Sequence, residues 1–139
     1  MGQQQLLLIV LGVIIVGIAV VVGINVFTAS STSSNRDAVI SDLTNIASMA
    51  QTFYRKPTAL AGGNNSFTGF TMPALSATAA DNTATATKTP NGSYTITANT
   101  GASVTLEGVG TQIGNNGTAN VKVTMVVGPN AITSTTVNN

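Results

Sequence analysis

Histidine and cysteine are both absent from the 139 residues. The usual general base, thiolate nucleophiles, disulfides, c-type haem attachment and zinc-binding ligand sets are excluded with them. Four carboxylates remain, Asp37, Asp42, Asp81 and Glu107, at spacings that form neither a recognisable acid–base pair nor a metal cluster, so surface charge is the expectation for them. The stretch "EGVGTQIG" holds Gly108, Gly110 and Gly114, but the spacing is not that of a dinucleotide loop and no βαβ pattern surrounds it; a strand ending in a glycine-rich turn is expected. Asn64, Asn91 and Asn116 each head an N-x-S/T triplet and are candidate glycosylation sites, although turn chemistry explains the same asparagines and is favoured. Phe27, Phe53 and Tyr54 lie at helical spacing among apolar residues and are assigned to packing rather than to electron transfer. No catalysis, metal or cofactor is expected.

The cations Arg36, Arg55, Lys56, Lys88 and Lys122 are scattered, and the formal net charge is +1. A nucleic-acid footprint requires a clustered basic face, so none is indicated. Charged residues make up only 6% of the chain and apolar ones 43%, a balance typical of a membrane protein or a packed assembly.

Polar chemistry is concentrated at the start instead, where Gln3, Gln4 and Gln5 immediately precede an apolar run. That run comprises Leu6, Leu7, Leu8, Ile9, Val10, Leu11, Val13, Ile14, Ile15, Val16, Ile18, Val20, Val21, Val22 and Ile24, broken only by Gly12, Gly17, Ala19 and Gly23. Its length matches the ~20 residues that carry a helix across ~30 Å of hydrocarbon. A cleaved secretory signal competes, but its apolar core is shorter and follows positive charge, whereas the first charge here is Arg36. A neutral glutamine amide both donates and accepts, and costs less near hydrocarbon than a carboxylate. The three glutamines therefore either bond neighbouring subunits or rest at the membrane interface as tolerated polar groups. For the glycines the alternatives are close packing, with Ala19 and Gly23 at small-xxx-small spacing, and local unwinding; packing is favoured.

Several elements must follow these residues. Val39, Leu43, Ile46, Ala50 and Phe53, with Ala47 and Tyr54 alongside, trace the stripe of an amphipathic helix. Asn35 is its candidate cap, Asp37 and Arg55/Lys56 suit its dipole, and Pro57 stops it. Only a proline-free Ser/Thr stretch from Thr28 separates the two helical segments. A merged helix from Gly2 to about Lys56 would be on the order of 80 Å long at 1.5 Å per residue. Three segments result: 1–27, a hydrophobic membrane or filament-core helix; 28–56, its amphipathic continuation; and 57–139, a loop plus a sheet.

Residues 58–89 form a Gly/Asn/Thr/Ala-rich connector, expected to be partly irregular and anchored by Phe67, Phe70 and Met72. Ser93–Ala98, Ala102–Glu107, Asn120–Val127 and Ala131–Val137 read as half-buried strands, with Asn91-Gly92, Asn116-Gly117 and Gly128-Pro129-Asn130 as turns. An antiparallel sheet of about four strands covered by the amphipathic helix gives an α+β fold.

This order of elements resembles a type IV pilin or pilin-like filament subunit, with the chain in its mature form and its leader removed. In that register Met1 is the processed, N-methylated residue, Gln5 occupies the position where most major pilins carry glutamate, and Leu6 opens the apolar stretch. The family's glutamate is thought to neutralise a neighbour's terminal ammonium; here the Gln5 carbonyl would accept a hydrogen bond from it. The chain lacks the proline that many pilins carry in the apolar segment and the cysteines of their C-terminal disulfide loop. The resemblance implies self-association into an extracellular, cell-surface helical homopolymer. It also implies anchoring in the cytoplasmic membrane before assembly, and dependence on a prepilin peptidase and the pilus assembly machinery. A secretion pseudopilin or minor tip pilin is the alternative within the family. A non-polymerising, single-pass anchored binding module is the alternative outside it.

Overall fold

The structure, a computed structural model, describes residues 2–138. It contains one long helix, α1 (Gly2–Arg55), followed by five strands: β1 (Ala86–Thr89), β2 (Gly92–Asn99), β3 (Val104–Ile113), β4 (Asn120–Val127) and β5 (Ile132–Asn138). The chain divides into two compact units at Ser31/Thr32.

In the first unit every described residue through Ser30 is helical and exposed. The helix passes through Gly12, Gly17 and Gly23 without a break. Thr28 returns its hydroxyl to the Ile24 carbonyl at 2.9 Å, the local bond by which a hydroxyl residue is accommodated inside a helix.

The second unit is a long-helix-on-antiparallel-sheet arrangement. The sheet order is β1-β2-β3-β4-β5, with every neighbouring pair antiparallel, as short connections demand. Val39, Leu43, Ile46, Ala47 and Ala50 of α1 are buried against Tyr94, Val104, Leu106, Val121, Val123, Met125 and Val127 of the sheet. Fully burying an aliphatic side chain of this size stabilises by roughly 1.5–3 kcal/mol, so this seam holds the unit together. Phe67, Phe70 and Met72 close its edge as expected. Phe53 meets Phe70 edge-on at 5.6 Å and Tyr54 lies 4.8 Å from Phe67. Phe27, by contrast, is 75% exposed and is not part of the buried cluster among the described residues.

The helix ends where Pro57 requires it. Its last carbonyls are then capped by the following loop: the N–H groups of Gly63, Asn65 and Asn64 donate to the carbonyls of Phe53, Tyr54 and Lys56 at 2.8, 2.7 and 2.9 Å. Asn64 and Asn65 adopt left-handed φ values of 49° and 64° to aim those donors, a conformation asparagine tolerates better than most residues.

Four expectations need correction. The sheet has five strands, because β1 forms inside the connector and pairs with β2 across the two-residue turn Pro90-Asn91. The third strand does not end at Glu107. It runs on through Gly108 and Gly110 to Ile113, since these glycines face the helix and have no room for a side chain. A Cβ on Gly108 would lie 2.8 Å from Val39 Cγ1 and 3.1 Å from both Leu43 Cδ1 and Tyr94 Cδ1, and one on Gly110 would strike Asn35 Oδ1. Asn35 is not a helix cap, because α1 passes straight through it. Finally, β5 is not half-buried: every residue of it is exposed, and Ile132 and Val137 remain 38% and 39% exposed opposite buried Val127 and Val123.

Candidate functional site

The first unit presents a continuous apolar surface. All fifteen large aliphatic residues from Leu6 to Ile24 are 53–69% exposed. Residues on every side of a helix, not on one stripe, are thus uncovered. A helix that is apolar all round has to be surrounded on all sides by something apolar. The segment is long and apolar enough to cross a membrane, and none of its most apolar window is buried.

Gln3, Gln4 and Gln5 are exposed on the first turns of the same helix. Their side-chain amides make no hydrogen bond among the described residues. Gly12, Gly17 and Gly23 face open space, with nothing within 4 Å of the position a Cβ would take. Met1 lies outside the described residues.

The second unit contains a polar cluster that sequence reasoning missed. Asp42, placed above among the surface charges, is half-buried, and its Oδ2 accepts three hydrogen bonds: Tyr94 Oη at 2.7 Å, Thr89 Oγ1 at 2.9 Å and Asn91 Nδ2 at 3.0 Å. Burial alone would raise its pKa, but the bonds from Tyr94, Asn91 and Thr89 outweigh burial and hold the carboxyl below its ordinary value of 3.8. The Tyr94 ring is fully buried. That burial, together with the carboxylate acceptor, pushes its phenol well above the ordinary 10.0.

Asn35 sits two helical turns before Asp42 and completes the arrangement. Its Nδ2 donates to the Asn91 carbonyl at 2.9 Å, and its Oδ1 accepts the N–H groups of Thr111 at 3.1 Å and Gln112 at 3.3 Å. The turn residue Asn91 is therefore held from both sides by one helix face. Further bonds run along the helix: Thr32 Oγ1 to the Ile113 carbonyl at 2.9 Å and Gln51 Nε2 to the Gly128 carbonyl at 3.2 Å. These polar contacts fix the angle and register at which the apolar stripe meets the sheet. With three donors on Oδ2 and its pKa held below the ordinary value, Asp42 is kept ionised and is not a base poised near neutral pH.

The sequence carried one signal for this cluster, the seven-residue interval between Asn35 and Asp42 that puts both on the face bordering the Val39–Leu43 stripe. It carried nothing that could pair them with residues about fifty positions later.

Four of the remaining charges form two ion pairs. Lys88 meets Asp81 and Lys122 meets Glu107, each at 2.8 Å. Among the described residues no three His, Cys, Asp or Glu side chains group as metal ligands.

The three N-x-S/T asparagines are not equivalent. Asn64 is exposed at the helix-capping loop, Asn91 is engaged by Asp42 and Asn35, and Asn116 is exposed between β3 and β4 with its Oδ1 accepting the Thr118 and Ala119 N–H groups at 3.1 Å each. Comparison of the chain with protein-family models, with curated proteins and with solved structures gives no match.

Proposed function

We propose that this chain is a structural subunit of an extracellular type IV pilus-like filament, polymerising through its N-terminal hydrophobic helix and exposing its β-unit on the filament surface. The observation that carries the reading is the exposure of all fifteen aliphatics from Leu6 to Ile24. A helix uncovered on every side is suited first by lipid and afterwards by copies of itself. In a bundle each such side chain stays about 1.5–3 kcal/mol better off than in water, so a segment taken out of the bilayer remains shielded from solvent by copies of itself. Sequence order and architecture support the same reading, since a long helix whose second half is laid on an antiparallel sheet is the pilin arrangement.

On this reading the partners are other copies of the chain, the cytoplasmic membrane before assembly, and the peptidase and machinery that process and polymerise pilins. Met1 is the residue processed and N-methylated, Gln5 takes the place of the family's glutamate, and no catalysis is assigned. Because Gln5 carries no charge, a minor tip subunit or secretion pseudopilin is the second reading.

Shearing filaments from cells that express the chain separates these cases. Fibres in which it is the main component support the major subunit, and fibres in which it is a trace component support the tip or pseudopilin. Membrane-bound protein with no fibres supports a single-pass anchored module and overturns the proposal. Gln5→Leu tests the polar contact separately. A clear loss of filament yield is expected, because polar bonds between membrane helices contribute about 0.6–2 kcal/mol each, and wild-type assembly by this variant would rule the contact out.

A further inference from the structure

We propose that Asn116 is a site of spontaneous deamidation, selected by the fold over Asn91, the other asparagine that precedes a glycine. The chemistry is the same at both. The backbone nitrogen of the following glycine attacks the side-chain Cγ, and its proton passes to hydroxide or a buffer base. The Cγ–Nδ2 bond then breaks, and Nδ2 takes up a proton and departs as ammonia, leaving a five-membered succinimide. Water opens that ring at either carbonyl to give aspartate or isoaspartate. One water is consumed and one ammonia released, with no oxidant, metal or enzyme.

What differs is the surroundings. At Asn116 the oxygen that becomes the oxyanion of the tetrahedral intermediate already accepts two backbone N–H bonds, from Thr118 and Ala119, at 3.1 Å each. Donors placed on such an oxygen before reaction lower the barrier to acyl transfer. The leaving Nδ2 makes no hydrogen bond among the described residues, and Asn116, Gly117 and Thr118 are all exposed. The Gly117 N–H is engaged only by the Gly114 carbonyl at 3.0 Å, a single neutral bond in an exposed turn, of the kind that opens readily.

At Asn91 the leaving nitrogen and the exposure of the turn are the opposite. The leaving nitrogen donates to the Asp42 carboxylate at 3.0 Å, and the residue's carbonyl is tied to Asn35 at 2.9 Å. Gly92 is buried, with the Val109 carbonyl against the position its Cβ would take. Ring closure there requires withdrawing Asn91 from a charge-assisted bond and lifting the turn off the sheet. Conversion at Asn116 also has a consequence for the whole chain. Five cations and four carboxylates become five and five, and a net charge of zero favours association between molecules.

The test is to incubate the full recombinant chain in detergent at mildly alkaline pH, folded and, in parallel, in denaturant, and to follow both peptides by mass spectrometry. In the folded chain Asn116 is expected to convert about tenfold faster than Asn91, the rate factor corresponding to a hydrogen bond to a charged group. Both aspartate and isoaspartate should appear, and the difference should close in denaturant. Asn91 converting as fast as Asn116 in the folded chain, an Asn116 that stays intact there, or a difference that survives denaturation overturns the proposal.

Discussion

Asp42 brings three donors from β1, the turn and β2 onto a single carboxylate oxygen, and its titration is therefore coupled to stability. The folded carboxyl has a lowered pKa, so the stabilisation is complete above its ordinary value of 3.8 and is lost as pH falls through the folded value. Tyr94 has the opposite sign. Its phenol is raised above 10.0, so its contribution is complete below that value and declines as pH rises past it toward the higher folded pKa. Stability of the second unit should accordingly hold through the neutral range and fall at both extremes. Asp42→Ala strands a buried phenol and should cost about 2–3 kcal/mol, whereas Tyr94→Phe, which removes one donor and leaves two, should cost about 1 kcal/mol. Thermal unfolding of the full chain in detergent, followed through tyrosine fluorescence at several pH values, checks this. An Asp42→Ala variant melting like wild type would show that the three bonds contribute nothing net.

Among the elements, the contact of α1 with β3 depends on two absent side chains. Gly108→Ala would place a methyl 2.8 Å from Val39 Cγ1 and 3.1 Å from Leu43 Cδ1. Val39 is β-branched and stiff, so the helix has to lift rather than the side chain swing away, at about 1–3 kcal/mol. Gly110→Ala would instead displace Asn35 Oδ1 and loosen its bonds to Thr111 and Gln112. The two variants should differ in kind: the first lowers the melting temperature through the apolar seam, and the second does so through a polar clamp that Asn35→Ala should mimic. The same glycines show where sequence is and is not informative. The helical stripe from Val39 to Ala50 was legible because its spacing is a property of the helix alone, and β4 was read to its last residue because Val121, Val123 and Met125 alternate with Lys122 and Thr124 along it. Gly108 and Gly110 read as a turn because low strand propensity is local, while the reason for glycine there is a helix some seventy residues earlier in the chain. Similarly, β1 is four residues long in a polar connector, and only its pairing with β2 makes it a strand. Asn35 and Asp42 were visible as polar residues, but their partners lie about fifty or more positions away, and no local pattern points across such a distance.

For the molecule as a whole, the decisive feature is a division of labour in charge. No charged residue precedes Arg36, and all nine lie at or beyond it. On the proposed reading the first unit would pass between lipid and a bundle of its own kind without desolvating a charged side chain, since all nine lie in the second unit. Introducing one ammonium into the middle of the apolar run tests this directly. Ile15 is 58% exposed and central in the segment, and lysine there costs about 2.5–3.5 kcal/mol for placement at a bilayer centre. In a helical bundle the cost recurs, because no carboxylate in the segment can pair with it. Ile15→Lys is expected to abolish sheared filaments while leaving the second unit folded, as judged by an unchanged tyrosine melting transition in detergent. Thr44→Lys, on the exposed side of α1 in the second unit, adds the same charge outside the apolar run and should assemble normally. Filaments at wild-type yield from Ile15→Lys would mean that the apolar run is not the surface on which copies meet. Failure of both variants alike would assign the effect to net charge rather than to its place in the chain.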